Sequence, residues 1–201
     1  LSWATDSLPD ASVTAAKIAS GLQLATTDAQ YNTVAGTNAG DSFTGTDANR
    51  NTLFGYDAGT AITTGDYNTV VGAYSLDACT TGQNNTAIGD AALSETTTGS
   101  YNTGVGRYAL FSNTTASNNT AFGYQSLKDH TTGSQCVAVG SNALENNTTA
   151  SYNVAMGHNA LATNTTGAGN VAIGDGVLVG NTTADNNTGV GHRALLSNTT
   201  G

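Results

Sequence analysis

Glycine recurs at a strict interval over most of the chain. Nine glycines follow one another at a spacing of 17 residues, with no insertion or deletion between them. They are Gly55, Gly72, Gly89, Gly106, Gly123, Gly140, Gly157, Gly174 and Gly191. A short fixed period of this kind is typical of a solenoid, in which each repeat forms one coil that stacks on the previous coil.

The other positions of the repeat are also restricted. We number them as columns one to seventeen, with the recurrent glycine in column five. Column four is always apolar, column eight is small, column nine is leucine except at Gly59, and columns thirteen and fourteen are threonine. Column one is Cys136 in the sixth coil and asparagine in the other eight, at Asn51, Asn68, Asn85, Asn102, Asn119, Asn153, Asn170 and Asn187.

This composition predicts strands rather than helices. Glycine, asparagine and threonine are weak helix formers. Columns two to four (T-A-apolar) and columns eight and nine (A-L) are short runs bounded by glycine and asparagine, which predicts two short strands per coil. A single helical turn around columns six to ten is the alternative. The glycine column predicts a corner that needs a positive φ or close backbone approach. We therefore expect an all-β parallel solenoid, or β-roll, of 17-residue coils.

Stacking explains why the columns are so uniform. Equivalent residues of adjacent coils lie about 4.8 Å apart in such a solenoid. Asparagine side chains at that spacing can hydrogen-bond along the stack, as they do in cross-β assemblies. The asparagines of column one and the glycines of column five are therefore predicted to form structural ladders.

Both faces of the first strand are apolar, which predicts self-association. With column four directed into the coil, alternation directs column three outwards. Column three is small or apolar in every coil. We therefore expect an intertwined or side-by-side homotrimer, with column-three residues such as Ala87, Ala121, Ala155 and Ala172 at or near the subunit contacts. The alternative is a single-chain roll that leaves these alanines exposed.

The first 50 residues depart from the period. Gly36 precedes Gly55 by 19 residues, so residues 31–50 are predicted to form a degenerate first coil with a two-residue insertion. Residues 1–30 carry no 17-residue period and are predicted to be a connector or cap. A short helix from Asp10 to Ser20, or an extended segment, fits there. Residues 51–201 are then a nine-coil solenoid. Leu1 is not an initiator methionine, which suggests a processed or partial chain.

Charge and hydropathy exclude several functions. The formal net charge is −9 with five basic residues, whereas nucleic-acid binding needs a basic stripe. No apolar run approaches the ~20 residues of a membrane span, and no secretory signal is visible. The sequence indicates no cofactor.

Histidines and cysteines suggest no metal site or disulfide. His158 and His192 share column six with Asp175 in the coil between them, which spaces the imidazoles about 9.6 Å apart and too far for one ion. His130 lies in another column, and we expect surface histidines rather than metal ligands. Cys79 and Cys136 are four coils apart, beyond disulfide reach, and are expected to be small core or ladder residues.

Five asparagines match the N-glycosylation acceptor pattern. Asn113, Asn147, Asn164, Asn181 and Asn198 each begin an N-T-T sequence. A glycan on adjacent rungs of an ordered ladder would clash, and the motif recurs because the coil recurs. We therefore expect these positions to be unmodified.

Tyrosines cluster near one corner of the coil. Columns six and seven contain Tyr56, Tyr74, Tyr108 and Tyr124, and column seventeen contains others. Exposed tyrosines can stack on sugar faces, so the first four are candidate glycan contacts, and ladder stacking is the alternative. No nucleophile, base and acid are brought together by any motif, so the sequence does not predict an enzyme.

The array resembles two groups of fibrous proteins. Residues 85–89 (N-T-A-I-G), followed by Ala92-Leu93, and residues 164–167 (N-T-T-G) resemble the repeat arrays of phage tail fibres. The N-x-A-I-G core also resembles the left-handed β-roll heads of trimeric autotransporter adhesins, whose repeats are shorter. Residues 7–21 (SLPDASVTAAKIASG) resemble connector sequence of phage fibres. In such fibres an intramolecular chaperone often follows the array, and nothing in these 201 residues matches one.

The resemblance implies a structural attachment protein. It implies a trimeric tail-fibre shaft or tip in the virion, attached to other tail proteins through its N-terminal region and directed at a host surface glycan or protein. The alternative is the head of a bacterial cell-surface adhesin. A less favoured alternative is an ice-binding solenoid, since the paired threonine columns resemble a threonine-rich ice-binding face. Adjacent strand residues point to opposite faces, which disfavours that alternative.

Overall fold

The protein folds as a stack of coils joined by a single parallel sheet. The computed structural model describes residues 30–43 and 47–201, and this part of the chain contains ten strands and no helix. The strands are β1 (Thr33–Ala35), β2 (Thr52–Phe54), β3 (Thr69–Val71), β4 (Thr86–Ile88), β5 (Thr103–Val105), β6 (Thr120–Phe122), β7 (Val137–Val139), β8 (Val154–Met156), β9 (Val171–Ile173) and β10 (Thr188–Val190). The segment predicted to form a connector or a short helix lies almost wholly outside the described residues.

The sheet follows the order of the chain. Each strand pairs in parallel with the next, from β1 to β10. Equivalent columns face each other, so that Thr86 pairs with Thr103 and Ala87 pairs with Gly104. The predicted all-β parallel solenoid of 17-residue coils is confirmed, with columns two to four as its strand.

The irregular coil before Asn51 joins the same sheet. Thr33 of β1 pairs with Thr52 of β2, across a separation of 19 residues. Phe43 donates its N–H to the carbonyl of Gly40, as Ile62 does to Gly59 one coil later. The carbonyl of Ala48 accepts the Asn32 amide in the way that later coils use column fifteen. The two additional residues therefore lie between Phe43 and Ala48.

The rest of each coil is turns, and the second predicted strand is wrong. Columns seven, nine and seventeen adopt a left-handed backbone, including leucines with φ of 50–55° in column nine. A left-handed residue cannot continue a strand, because its φ lies outside the β region. Carbonyl groups of the next coil still accept the N–H groups, as in Leu93 to Ala109 at 3.0 Å. Columns eight and nine therefore form a turn rather than a strand.

The glycine corner is required by both conformation and space. Gly106 has a φ of +131°, a region that side chains with a Cβ rarely adopt. A Cβ at this position would lie 2.5 Å from the carbonyl oxygen of Gly123 in the next coil. The corner therefore brings successive backbones into direct contact.

The inward and outward faces of the strand are opposite to those expected. Column three is buried in every coil from Leu53 to Gly189, whereas column four is mostly exposed. The exposed fractions reach 42% at Phe54, 55% at Phe122 and 43% at Met156. The column-three alanines, Ala87, Ala121, Ala155 and Ala172, lie in the interior of the single chain and are fully buried there. They cannot form the subunit contacts predicted for them.

Leucines from the turn explain why the interior prefers small residues in column three. A Cβ added at Gly104 would lie 3.3 Å from Cγ of Leu93, which shows how closely the column-nine leucine packs under the strand. In the first regular coil the large residue is in column three and the small residue is in column nine. Leu53 fills column three there, and its Cδ1 would lie 3.1 Å from a Cβ added at Gly59 in column nine. The narrow coil thus has room for one large side chain at this level.

Candidate functional site

The column-one asparagines lie in the interior and bridge neighbouring coils. Asn102 donates from its side-chain Nδ2 to the carbonyl of Ala116 at 2.8 Å, which closes its own coil. Its Oδ1 accepts the backbone N–H of Asn119 at 3.0 Å, which joins it to the next coil. Asn51, Asn68, Asn85, Asn153 and Asn170 make the same pair of bonds, with distances between 2.7 and 3.0 Å.

Cys136 interrupts this ladder. Its backbone N–H still donates to Oδ1 of Asn119 at 3.0 Å. Its thiol contacts the carbonyl of Ala150 at 3.4 Å, in the place of the usual amide. In place of a carboxamide oxygen, the sulfur accepts the backbone N–H of Asn153 in the next coil, and sulfur is a weak acceptor. Burial raises the pKa of the Cys136 thiol to about 11, so it remains protonated and unreactive at neutral pH.

A second interior ladder occupies column twelve, and the sequence analysis did not identify it. Asn164 donates from Nδ2 to Oδ1 of Asn147 at 2.8 Å, and Asn181 donates to Oδ1 of Asn164 at 3.3 Å. Four of the five N-T-T acceptor asparagines are buried: Asn113, Asn147, Asn164 and Asn181. A glycosyltransferase cannot reach a buried carboxamide in the folded coil, which supports the expectation that these positions are unmodified. The recurrence of asparagine directly before Thr-Thr was the sequence feature that could have indicated this second ladder.

His130 belongs to this interior column and is not a surface histidine. Its Nε2 lies 2.6 Å from the carbonyl of Gly133, and its Nδ1 lies 2.9 Å from Nδ2 of Asn147. A neutral imidazole protonated on Nε2 donates to the Gly133 carbonyl and accepts from the Asn147 amide, and the backbone carbonyl of Asn147 lies 3.2 Å from the same Nδ1. Burial lowers the pKa of His130, because the charged form would lose its hydration. His130 is buried because column twelve lies in the interior, where the histidine takes the place of the asparagine found in the following coils.

The outward face of the sheet carries an apolar stripe along the stack. Column four contributes Phe54, Val71, Ile88, Val105, Phe122, Val139, Met156, Ile173 and Val190. Column two, with threonine or valine, flanks it on the same face because alternate strand residues share a side. A stripe that continues over every coil differs from isolated exposed side chains, and such patches mark interaction surfaces.

The tyrosines of columns six and seven contact their neighbours. The rings of Tyr56 and Tyr74 meet edge to face, with centroids 5.3 Å apart. Tyr108 packs edge to face on Phe111 at 5.5 Å and lies under the guanidinium of Arg107 at 4.5 Å. Tyr124 is exposed. These rings form local clusters rather than one continuous aromatic surface.

Both surface histidines contact one carboxylate. Nδ1 of His158 lies 2.9 Å from Oδ1 of Asp175, and Nδ1 of His192 lies 3.2 Å from Oδ2. The hydrogen bond from His158 holds the pKa of Asp175 below its usual value. No group of three or more histidine, cysteine or carboxylate side chains in residues 30–43 and 47–201 is arranged to hold a metal ion.

The threonines of column thirteen participate in the coil-to-coil bonding. Thr97 Oγ1 donates to the carbonyl of Thr114 at 3.1 Å, and the same bond recurs along the stack, for example from Thr148 to Thr165. Columns thirteen and fourteen lie in a bend and not in a strand, so the argument from opposite strand faces does not apply to them. An ice-binding face gains no support from column thirteen, because its hydroxyls are already bonded to carbonyls.

No relative of the chain is identified by comparison. The chain matches no protein-family model, no curated protein and no solved structure. Within the described ranges there is also no helix long and apolar enough to cross a membrane.

Proposed function

We propose that the chain is the repeat region of a homotrimeric attachment fibre, in the shaft or tip of a viral tail fibre. The observation that carries this proposal is the apolar stripe of column four on the outward face of the sheet. Its exposed phenylalanines and methionine are unfavourable in water, so the stripe needs a partner surface.

A second copy of the same chain fits this stripe best. The stripe repeats with the coil, about every 4.8 Å, over a stack of roughly 43 Å. A partner must therefore be equally long and have the same repeat if every coil is to be covered. Another copy meets both conditions, and three copies around a shared axis would bury all three stripes. Trimeric association is also what the resemblance to tail fibres and adhesin heads implies.

The rest of the molecule fits a structural role. The interior is filled by leucines, small residues and asparagine ladders. The surface charge is low and acidic. We therefore propose no catalytic activity, and we place the protein in the virion with other tail proteins as its neighbours.

Light scattering on the purified chain tests this proposal. We expect the mass of a trimer for the wild-type protein and loss of assembly for Phe122→Glu, because three carboxylates would be desolvated near the axis. Thr132→Glu introduces the same charge in the same coil at an exposed column-fourteen position, and it should remain a trimer. A wild-type monomer, or a trimeric Phe122→Glu variant, would refute the stripe as the interface.

The cellular location needs a separate test. Proteomic detection of the chain in purified phage particles would support the tail-fibre assignment. Recovery in the outer-membrane fraction of a bacterium would favour the adhesin head instead.

A further inference from the structure

Column seventeen keeps a left-handed backbone at each of its ten described positions, from Tyr31 to Asn186. Its φ values lie between 56° and 68°, whatever the residue. Asparagine and glycine tolerate this conformation, and they occupy the column at Asn84, Asn118, Gly169 and Asn186. Tyrosine does not favour it, yet the column carries Tyr31, Tyr67, Tyr101 and Tyr152.

Burial does not explain why tyrosine occupies this left-handed position. The strained leucines of column nine are buried, so their contacts in the core offset the strain. The column-seventeen tyrosines remain between 49% and 69% exposed. Backbone strain that gains no burial is typical of positions kept for function.

Arg50 organises the first two of these rings. Its guanidinium carbon lies 5.8 Å from the ring centroid of Tyr31 and 5.2 Å from that of Tyr67. Its Nη1 also donates to the hydroxyl of Tyr67 at 2.6 Å. Cation–π contacts of this kind restrict both rings. Tyr101 and Tyr152 contact no ring or cation in the described part of the chain, so both of their faces are accessible.

Polar groups surround the rings. Exposed Asn84 and Asn118 alternate with the tyrosines in the same column. In column sixteen, the Ser100 hydroxyl accepts the backbone N–H of Gln83 at 3.0 Å, and the Asp66 carboxylate accepts that of Asn49 at 2.7 Å. Each of these oxygens retains capacity for a further hydrogen bond at the surface.

We propose that column seventeen is a binding strip for an uncharged polysaccharide that runs along the stack. Tyr67 and Tyr101 are two coils apart, about 10 Å, a length comparable with a disaccharide unit. Tyrosine offers a large rigid surface at a small entropy cost, which suits stacking on the C–H face of a sugar. The net charge of −9 disfavours an anionic polymer. The inference names the receptor class for the proposed attachment function and rests on that function for its biological role.

The test uses asparagine as the replacement, because the column already accepts it. We compare the wild-type protein with the triple variant Tyr67→Asn/Tyr101→Asn/Tyr152→Asn in native gels that contain dextran, mannan, galactan, xylan or the acidic polygalacturonate. We expect at least one neutral polysaccharide to retard the wild type, and the triple variant to bind it at least about tenfold more weakly. Its melting temperature should be unchanged or higher, because asparagine tolerates the left-handed backbone better.

Column seven provides a matched control. Its backbone is also left-handed, and asparagine occupies it at Asn142 and Asn159. The exposed fraction of Tyr74 is 47%, which is similar to the 49% of Tyr67. The sequence suggested Tyr74 and Tyr108 as glycan contacts, so the double variant Tyr74→Asn/Tyr108→Asn separates the two sets of tyrosines. It should bind the polysaccharide like the wild type, and a loss of binding equal to that of the triple variant would overturn the strip.

Several outcomes would overturn the strip. They are no retardation of the wild type by any neutral polysaccharide, retardation by polygalacturonate alone, or equal binding by the triple variant. Loss of oligomeric mass in the triple variant would assign the tyrosines to an interface between copies instead. Light scattering on the same wild-type sample separates the two proposals, since a trimer that binds no sugar refutes only the strip, and a monomer that binds refutes only the assembly.

Discussion

Single asparagines connect three parts of the stack. Asn102 receives its neighbour's N–H on Oδ1, donates Nδ2 to a carbonyl of its own coil, and donates its backbone N–H to Oδ1 of Asn85 at 3.0 Å. All these atoms are buried, so each unmade bond would leave a desolvated polar group, at a cost of about 1–3 kcal/mol. The side chain therefore enforces both the closure of one coil and its register with the next.

The interrupted ladder at Cys136 provides a test of this role. Cys136→Asn should replace the weak sulfur acceptor of the Asn153 N–H with a carboxamide oxygen and stabilise the fold by about 1 kcal/mol. For a chain of this size we expect a melting temperature about 2–4 °C higher by circular dichroism. Cys136→Ala has no carboxamide and should give no increase. Equal melting temperatures for the two variants would contradict a stabilising ladder.

His130 should make stability depend on pH. Its folded pKa lies below the unfolded value of 6.5, so below that pH the unfolded state binds more protons than the folded state. The contribution of neutral His130 to the free energy of unfolding is therefore fully present above about pH 6.5. It falls as the pH decreases, by up to about 1.4 kcal/mol per pH unit. His130→Asn, which copies the column's usual residue, should remove this part of the decrease.

Urea denaturation between pH 7 and pH 5 measures the effect. The exposed His192 provides the control, and His192→Asn should retain the wild-type dependence. A wild-type stability that is flat over this range would show that the buried imidazole becomes protonated without cost.

At the scale of the element, each coil turns by means of left-handed residues. Columns seven, nine and seventeen provide three of them, and the glycine of column five provides a fourth position with positive φ. The strand itself has only three residues. The shape of the coil thus depends on its turns more than on its strand.

The glycine corner can be tested by a single methyl group. Gly106→Ala places a Cβ 2.5 Å from a carbonyl oxygen in a backbone region with a φ of +131°, and should destabilise the fold by about 4 kcal/mol or more. Gly191 also has a positive φ, but an added Cβ would meet nothing within 4 Å. Gly191→Ala should therefore cost much less in a denaturation experiment. Similar losses for the two variants would show that the close approach is unimportant.

The sequence predicts the coil and its corners but not the direction of its side chains. Periodicity locates every T-A-apolar strand and every glycine corner, because these are local features. The choice between Ala121 and Phe122 for the interior depends on the column-nine leucines, which enter from a left-handed turn and pack under column three, as Leu93 does under Gly104. Ranking by size alone selects Phe122 and is wrong. Column twelve was missed for a similar reason, since a polar N-T-T sequence gives no local sign of burial.

On the scale of the whole molecule, stability should vary along the stack. Interior coils have a neighbour on each side, whereas the coil of Val190 has only one among the described residues, and Val190 is 64% exposed. In a solenoid each coil gains stability mainly from its neighbours. Protection from hydrogen exchange should therefore be greatest at amides such as Leu110 and Leu127, and lowest at Leu195 and Leu196. Uniform protection would indicate that the stack unfolds in one step.

The hydrogen bonds between coils also determine how the molecule carries mechanical load. These bonds run along the stack, and each junction has several, as between Thr86 and Asn102, Leu93 and Ala109, and Thr97 and Thr114. Tension applied along the axis is therefore shared by bonds that act in parallel, and a junction must lose many of them together to separate. The junction between the coils of Cys136 and Asn153 has a weaker bond, because the Cys136 sulfur accepts the N–H of Asn153 in place of a carboxamide oxygen. Under a steady pull, the stack should rupture there first.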